Sequence, residues 1–303
     1  MSNMEQNIAP LKQQPKFSAA IRTDTYQKLI NNTLGDPERA KRFISSITSA
    51  VAVNPALQDC RPSTILAGAL LGESLNLSPS PQLGQYYLVP FKQKAKYDKS
   101  SGEMISPECS NAQFVLGYKG YVQLALRSGY YTKLNVLEIK EGEFKHFDPL
   151  NEVLECLIIE DYEKREAADT VGYYAMFEYS NGFKKAIYWS KEKMMSHANQ
   201  YSPAFSSQAY KKILAGEIPN QDLWKYSSFW YKNFDAMAKK TMLRQLISQW
   251  GIMSTELQTA YVTDSCVRDI GGNSELITMP EEQIDLAQPE ATDIVEEIDL
   301  SDV

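Results

Sequence analysis

Residues 112–131 constrain the fold more strongly than any other part of this 303-residue chain. Residues 112–116 are mostly apolar and partly β-branched, which predicts a short strand. After Gly117 the apolar residues recur at helical spacing, and the pattern ends at Gly129, where a helix terminus tolerates left-handed backbone. A strand that runs directly into a helix is therefore predicted at the centre of the fold.

The predicted central helix has one apolar face and one polar face. The apolar residues at three- and four-residue spacing are Tyr118, Val122, Ala125 and Leu126. Lys119, Gln123 and Arg127 follow one another every four residues and form a polar stripe on the other side. Such a stripe can line a groove for an anion, although a solvated helix face is the commoner use of this pattern.

Helices are predicted before this centre, and strands on both sides of it. The helical segments are 17–32, 36–53 and 62–75. Asp36 followed by Pro37 predicts an N-cap with proline at the first helical position. A strand at 86–91 should pair with the strand at 112–116 as a hairpin. The tip of this hairpin is basic, with Lys92, Lys94, Lys96 and Lys99.

In the second half of the chain, strand patterns come first and helical patterns follow. The predicted strands are 133–140, 154–161, 171–179 and 184–189. The last two are joined by the two-residue turn signal Asn181-Gly182. Helices follow at 191–200 and 223–250, with a linker rich in Ser and Gly at 202–221. Runs of helices and strands in this order predict an α+β fold rather than βαβ units.

Charge divides the chain into a basic body and an acidic tail. The net charge is −7, but ten of the 38 acidic residues lie in 271–303, which contains no Lys or Arg. Residues 1–270 therefore carry 31 bases against 28 acids. This asymmetry predicts a polyanion site on the body and an interaction tail. We expect disorder over 1–16, a folded core over 17–255 and a flexible acidic tail over 256–303.

Residues 180–245 mix bases and aromatic residues densely. They contain eleven Lys or Arg against four acids, and twelve of the 33 aromatic residues. Lys and Arg can follow phosphates while aromatic rings stack on bases, which suits single-stranded nucleic acid. On the predicted helix 223–250, Lys225, Lys232 and Lys239 would share one side. We expect about half of the aromatic residues to pack in the core instead.

Several enzyme classes lack their sequence motifs here. Neither GxxxxGK[ST], GxGxxG nor GxSxG occurs, and only two histidines, His146 and His197, are present. Four scattered cysteines without a CxxC pair predict reduced thiols rather than a zinc site. No secretion signal and no membrane-spanning run is apparent, so we expect an intracellular protein without membrane contact. A two-metal nuclease site remains an alternative. Its candidate ligands are Asp148, Glu152, Glu155 and Asp161.

A series of short motifs follows in order between residues 60 and 245. They are CRPSTIL at 60–66, residues 75–81 leading to YLVPF at 87–91, GYKG at 117–120, LALRSG at 124–129, His197 with Tyr201-Ser202, and FDAMAKKTMLR at 234–244. GYKG alone also fits the GxxG clamp of KH domains, but the surrounding elements do not. Taken together, the motifs resemble the RecT family of phage single-strand annealing recombinases.

The resemblance implies a Rad52-like core, in which a curved antiparallel β-sheet holds a central helix. Helical segments flank this core, and the acidic, disordered C-terminal tail follows it. It also implies ATP-independent binding of single-stranded DNA and annealing of complementary strands in phage recombination, with no cofactor and no catalytic residues. A passive coating protein and a metal-dependent nuclease stay open as alternatives.

The expected partners are single-stranded DNA, the annealed duplex, further copies of the chain and a phage exonuclease, all in the cytoplasm of a bacterial host. The tail is expected to contact the exonuclease or a host single-strand-binding protein, or to compete with DNA. We expect Lys119 and Arg127 on one wall of a DNA groove, and Lys239, Lys240 and Arg244 opposite. The predicted DNA-binding residues are Lys92, Tyr118, Lys119, Arg127, Lys185, Lys191, Tyr201, Lys211, Lys225, Lys239, Lys240 and Arg244.

Overall fold

The computed structural model describes residues 15–97, 104–270 and 277–278. Nearly all of the predicted disordered N-terminus, Lys99 and most of the acidic tail lie outside these residues. The described chain combines helices with antiparallel β-sheets, which confirms the α+β prediction. Among these residues, no helix has both the length and the apolar character that crossing a bilayer requires.

The elements follow one another from a helical N-terminal part to a mixed centre and a helical C-terminal part. The helices are α1 Phe17–Ala20, α2 Asp24–Leu34, α3 Pro37–Val53, α4 Pro62–Ser74, α5 Tyr118–Arg127, α6 Tyr162–Ala167, α7 Lys191–Tyr201, α8 Ser207–Leu214, α9 Phe229–Lys232, α10 Phe234–Trp250 and α11 Thr255–Thr263. Two 3₁₀ helices lie at Pro55–Asp59 and Asn220–Lys225. The strands are β1 Tyr86–Gln93, β2 Lys96–Tyr97, β3 Met104–Ser106, β4 Cys109–Leu116, β5 Tyr131–Lys140, β6 Phe144–Asp148, β7 Val153–Cys156, β8 Thr170–Tyr179, β9 Lys184–Ser190, β10 Cys266–Val267 and β11 Ile277–Thr278.

Two sheets form the framework. The first has the order β1-β4-β10-β11, and its β1–β4 hairpin pairs Tyr86 with Leu116 and Leu88 with Phe114, as the sequence predicts. The second has the order β5-β8-β9, and β2–β3 and β6–β7 form two further short antiparallel pairs. Helix α4 packs against β4 and β1, while α10 packs against β8 and β5 and also contacts α5. One continuous apolar core therefore joins the two sheets through α5 and α10.

Local chemistry explains the N-terminal helices. The carboxylate of Asp36 accepts a hydrogen bond from the Glu38 amide at 2.9 Å, so the predicted N-cap of α3 is confirmed. The predicted helix over 17–32 is instead two helices. Thr23 adopts extended backbone at the start of α2, and its hydroxyl donates to the Ala20 carbonyl at 2.7 Å. This competing hydrogen bond separates α1 from α2.

The second half differs from the sequence prediction at several places. The single helix predicted over 223–250 is divided into three elements, namely the end of a 3₁₀ helix, α9 and α10. Helix α9 ends at Asn233, whose side chain caps α10 by accepting from the Ala236 amide. Consequently Lys225, Lys232 and Lys239 do not share one helix face. The predicted linker contains α8, and the strand predicted over 154–161 ends at Cys156.

Two further differences concern turns and the end of the core. Tyr179 and Phe183 pair across residues 180–182, so the hairpin loop has three residues rather than two. Packing also continues beyond residue 255, where the sequence analysis begins the tail. Leu257 and Ala260 of α11 are buried, and β10 adds to the first sheet beside β4.

Candidate nucleic-acid interface

The N-terminus of α5 lies against the backbone of residues 84–85. The Gly117 amide donates to the Gln85 carbonyl at 2.8 Å. A Cβ atom at Gly117 would collide with the carbonyl oxygen of Gly84, and one at Gly120 would collide with that of Gln85. The two glycines of the GYKG motif therefore serve close packing of α5 on this loop. This packing fixes where the intervening Lys119 emerges.

The predicted polar stripe is confirmed as an exposed face of α5. Lys119, Gln123 and Arg127 are all exposed. The guanidinium of Arg127 donates to the carbonyls of Leu75 at 2.9 Å and Asn76 at 3.1 Å, at the end of α4. It also donates to the Gln123 side chain at 3.1 Å. Arg127 is therefore held in place by a helix terminus, which leaves Lys119 as the more mobile charge of the stripe.

The apolar face of α5 is rotated relative to its prediction. Ala125 is buried as expected, and Tyr118 and Val122 are half-buried, but Leu126 is half-exposed. The deepest residues are Tyr121 and Leu124. Tyr121 turns inward because its hydroxyl has polar partners inside the protein, which shifts the buried face away from Leu126.

The predicted second wall, on α10, is mostly buried. The Arg244 side chain is 5% exposed, and its Nη1 lies 2.7 Å from Oδ2 of Asp264. Lys240 Nζ lies 3.5 Å from the same oxygen, and its side chain is 13% exposed. The Arg244 guanidinium also stacks over the Tyr261 ring at 4.4 Å. These two bases are therefore held inside the fold, although the sequence analysis placed them on a groove wall.

A buried polar cluster formed by Asp264, Tyr121, Lys240 and Arg244 joins three elements. Besides the two bases, Asp264 accepts from the Leu116 amide at 2.7 Å and from the Tyr121 hydroxyl at 3.0 Å. The cluster thus ties the end of β4, the first half of α5 and the middle of α10 to one carboxylate. The sequence analysis missed Asp264, because it lies 20 residues from Arg244 and follows a helix that was not predicted.

Lys239 occupies a different position from its two neighbours. Its Nζ lies 2.9 Å from Oε2 of Glu138 on β5, and about a third of the side chain remains exposed. Burial acts to raise the pKa of Glu138, but the hydrogen bond from Lys239, backbone hydrogen bonding and nearby Lys140 lower it overall. Tyr118 lies close to this pair, and burial raises the pKa of its phenol. The structure therefore brings Tyr118 and Lys239 together at one edge of α5.

Three rings on β9 and α7 form a column, made of Trp189, His197 and Tyr201. The ring centroids of Trp189 and His197 lie 5.1 Å apart, and those of His197 and Tyr201 lie 4.6 Å apart. Lys193 lies over the Trp189 ring at 4.5 Å. Burial, together with the charges of Lys193 and Arg244, lowers the pKa of His197 to about 4, so the imidazole is neutral near pH 7. Tyr201 thus belongs to an ordered aromatic column.

The remaining predicted residues are dispersed over other elements. Lys185 forms an ion pair with Glu152 and lies 3.7 Å above the Trp250 ring. Lys225 lies 2.7 Å from Asp222. The positions that complete the set are Lys92 on β1 and Lys211 on α8, both exposed, and half-buried Lys191 at the start of α7.

Three of the four acids considered for a nuclease have structural roles, and the fourth, Glu155, is exposed on β7. Glu152 pairs with Lys185 and accepts from the Ala186 amide. Asp148 accepts from the amides of Leu150 and Asn151 in the turn after β6. Asp161 caps α6 by accepting from the Lys164 amide. In the part of the chain that the structure describes, no three His, Cys, Asp or Glu side chains are grouped as they would be around a metal ion.

Comparison with known proteins covers both the polar stripe and the buried cluster. The RecT family profile matches residues 41–276 of this chain. The uncharacterized protein YqaK of Bacillus subtilis (strain 168) is 32% identical over 265 residues, which cover 88% of this chain and 78% of YqaK. Protein RecT of Escherichia coli (strain K12) is 26% identical over 231 residues, which cover 74% of this chain and 71% of that protein.

Proposed function

Because the chain belongs to the RecT family, which acts in DNA recombination by single-strand annealing, we propose that it anneals complementary strands without ATP. In this proposal it binds single-stranded DNA as an oligomer, together with a phage exonuclease, in the cytoplasm of the bacterial host. We place the annealing core, with a Rad52-like arrangement, over residues 17–255 and the packed segment up to Val267. The acidic interaction tail follows it.

The observation that carries this proposal is the exposed polar stripe on a rigidly seated helix. Glycine contacts fix the start of α5, and the buried cluster around Asp264 fixes its inner face. Arg127 therefore holds a defined position on the surface, and Lys119 projects from the same fixed helix, with Lys239 and Tyr118 at its edge. Such an array neutralises successive phosphates without reading the bases, which suits a protein that must accept any sequence.

The chemistry of annealing needs no nucleotide hydrolysis. Base pairing of complementary strands is itself downhill, and the obstacles are phosphate repulsion and the entropy of bringing two strands into register. A basic surface that holds one strand extended lowers both obstacles. Fidelity then comes from base pairing, since the protein contacts only the backbone.

The test mixes complementary oligonucleotides, one with a fluorophore and one with a quencher, with the protein in buffer lacking ATP. We expect quenching to be faster than with DNA alone, and both strands to keep their full length on a denaturing gel. Quenching slowed by the protein would contradict annealing and indicate a coating protein. Shortening of the strands that a metal chelator prevents would indicate a nuclease.

A further inference from the structure

An apolar and acidic surface stands exposed on residues 148–163, which we call the acidic surface. It comprises the turn after β6, β7 and the segment that leads into α6. Its exposed apolar side chains are Leu150, Val153, Leu157, Ile158 and Tyr162, with Leu150 91% and Tyr162 74% exposed. The same 16 residues contain six acids and no Lys or Arg. Exposed apolar residues grouped in this way mark an interaction site.

The acidic surface is rigidly supported from inside. Glu143 is fully buried, and its carboxylate lies 2.7 Å from the Arg165 guanidinium of α6. The same carboxylate accepts from the Ile159 amide at 3.1 Å, and the Glu143 carbonyl accepts from the Leu157 amide at 2.9 Å. One buried ion pair therefore fixes the backbone from which Leu157 and Ile158 project. The apolar side chains are presented in a set geometry that a partner can use.

A surface of opposite charge lies on residues 207–232, which we call the basic surface. Its exposed apolar side chains are Leu214, Leu223, Trp224 and Phe229, with Trp224 73% exposed. The segment carries four Lys against two acids. It is anchored by packed rings beneath it, since Tyr210 stacks on Phe234 at 5.0 Å and Trp230 lies 5.1 Å from Phe234.

We propose that the acidic surface of one copy packs against the basic surface of the next copy. The two surfaces have opposite charge and similar apolar content. Both are exposed in the single chain, so each is available to bind another molecule. DNA is not the occupant of the acidic surface. Glu152 and Asp161 pair with lysines, but the other four carboxylates still repel phosphates. The inference rests on the proposed oligomeric function and deepens it by naming the contact.

Because the two surfaces differ, the contact is head-to-tail. Each copy then keeps one surface available after binding, so that addition continues until a ring closes or a filament grows. The two-surface arrangement predicts a specific result with complementary variants, since a copy that lacks one surface can end an assembly but cannot extend it.

The experiment compares two double variants of the full-length protein by mass photometry, with and without long single-stranded DNA. Leu157→Ser with Ile158→Ser damages the acidic surface, and Leu214→Ser with Phe229→Ser damages the basic surface. All four side chains are exposed, so both variants should fold. Val53→Ser with Val262→Ser, at exposed apolar positions elsewhere, is the matched control.

We expect wild type and control to assemble, and each surface variant alone to need about tenfold or more protein for assembly. Without DNA, an equimolar mixture of the two surface variants should form dimers and nothing larger. Assembly of either variant at the wild-type concentration, or a mixture that stays monomeric although both variants are folded, overturns the proposal. Binding of a short oligonucleotide, measured separately, shows whether the proposed DNA function itself fails.

Discussion

The bases of α5 and those of α10 come from motifs of similar composition but have different fates. On α5, Lys119 and Arg127 are exposed, and the helix is seated by glycine contacts. On α10, Lys240 and Arg244 point inward to Asp264, and Lys239 is the most exposed of the three bases. A run of Lys and Arg thus supplies both surface charge for a ligand and buried charge for the scaffold, and only the position of an acid distinguishes them.

The strongest test of this contrast is Arg244→Ala. Removing Arg244 takes the nearer of two basic partners from the buried Asp264 carboxylate and leaves Lys240 at 3.5 Å, so we expect a loss of about 3 kcal/mol in the free energy of unfolding. Urea denaturation followed by circular dichroism measures it. Lys119→Ala, on the exposed stripe, is the control and should change stability by less than about 0.5 kcal/mol. Equal effects of the two substitutions would show that the contrast is mistaken.

Gly120→Ala tests how the exposed helix is seated. The added Cβ would meet the Gln85 carbonyl, which is backbone and cannot rotate away, so we expect a loss of about 3 kcal/mol, at the upper end of the usual cost of overpacking. Gly129→Ala is the matched control, because that position has open space and only its φ of +75° is unfavourable, for about 1 kcal/mol. Thermal unfolding compares the two. A smaller cost at Gly120 than at Gly129 would contradict the close approach.

The pH dependence of stability tests the buried surroundings of His197, whose pKa the charge of Arg244 helps to lower. The pKa of His197 falls from 6.5 in the unfolded chain to about 4 in the fold, so between these values the unfolded state binds the extra proton. The contribution of neutral His197 to the free energy of unfolding should therefore be complete above pH 6.5 and decline towards pH 4. We expect this decline to be about 1–2 kcal/mol after allowance for solvent screening.

The matched variant for this pH test is His197→Gln, which removes the titrating group while keeping a polar side chain. Urea unfolding of both proteins between pH 4 and 7.5 should give a stability difference that narrows as the pH falls. A difference that stays constant over that interval would show that His197 does not titrate as its surroundings indicate.

The smallest effect is expected for Lys119→Gln, which leaves stability unchanged but weakens binding of single-stranded DNA. Losing one phosphate contact should reduce the slope of log affinity against log salt by about 0.7. Fluorescence anisotropy from 50 to 300 mM salt measures the slope, with exposed Lys28→Gln on α2 as the control. An unchanged slope would show that Lys119 does not contact DNA, and the exposed stripe of α5 would then have no demonstrated role in binding.

Sequence reasoning found the elements whose pattern is local. The strand-to-helix centre, the β1–β4 hairpin and the polar stripe each depend on neighbours within a few residues, and the structure confirms them. It failed where the deciding partner is distant. Whether Arg244 is exposed depends on Asp264, and whether Leu126 is exposed depends on the inward turn of Tyr121. The helical pattern over 223–250 also predicts one long helix, because it does not reveal the N-caps Ser228 and Asn233 that begin two separate helices.

Asp264 lies only seven residues before the acidic stretch that begins after Ile270. Trimming the protein at residue 255, the boundary that composition suggests, would remove the counter-ion of Arg244 together with α11 and β10. Protease digestion should accordingly stop beyond Val267, and a fragment shortened to 255 should be recovered in inclusion bodies. This last stretch before the tail supplies the carboxylate that joins β4, α5 and α10, so we expect the centre of the fold to become stable only after residue 264 has been synthesised.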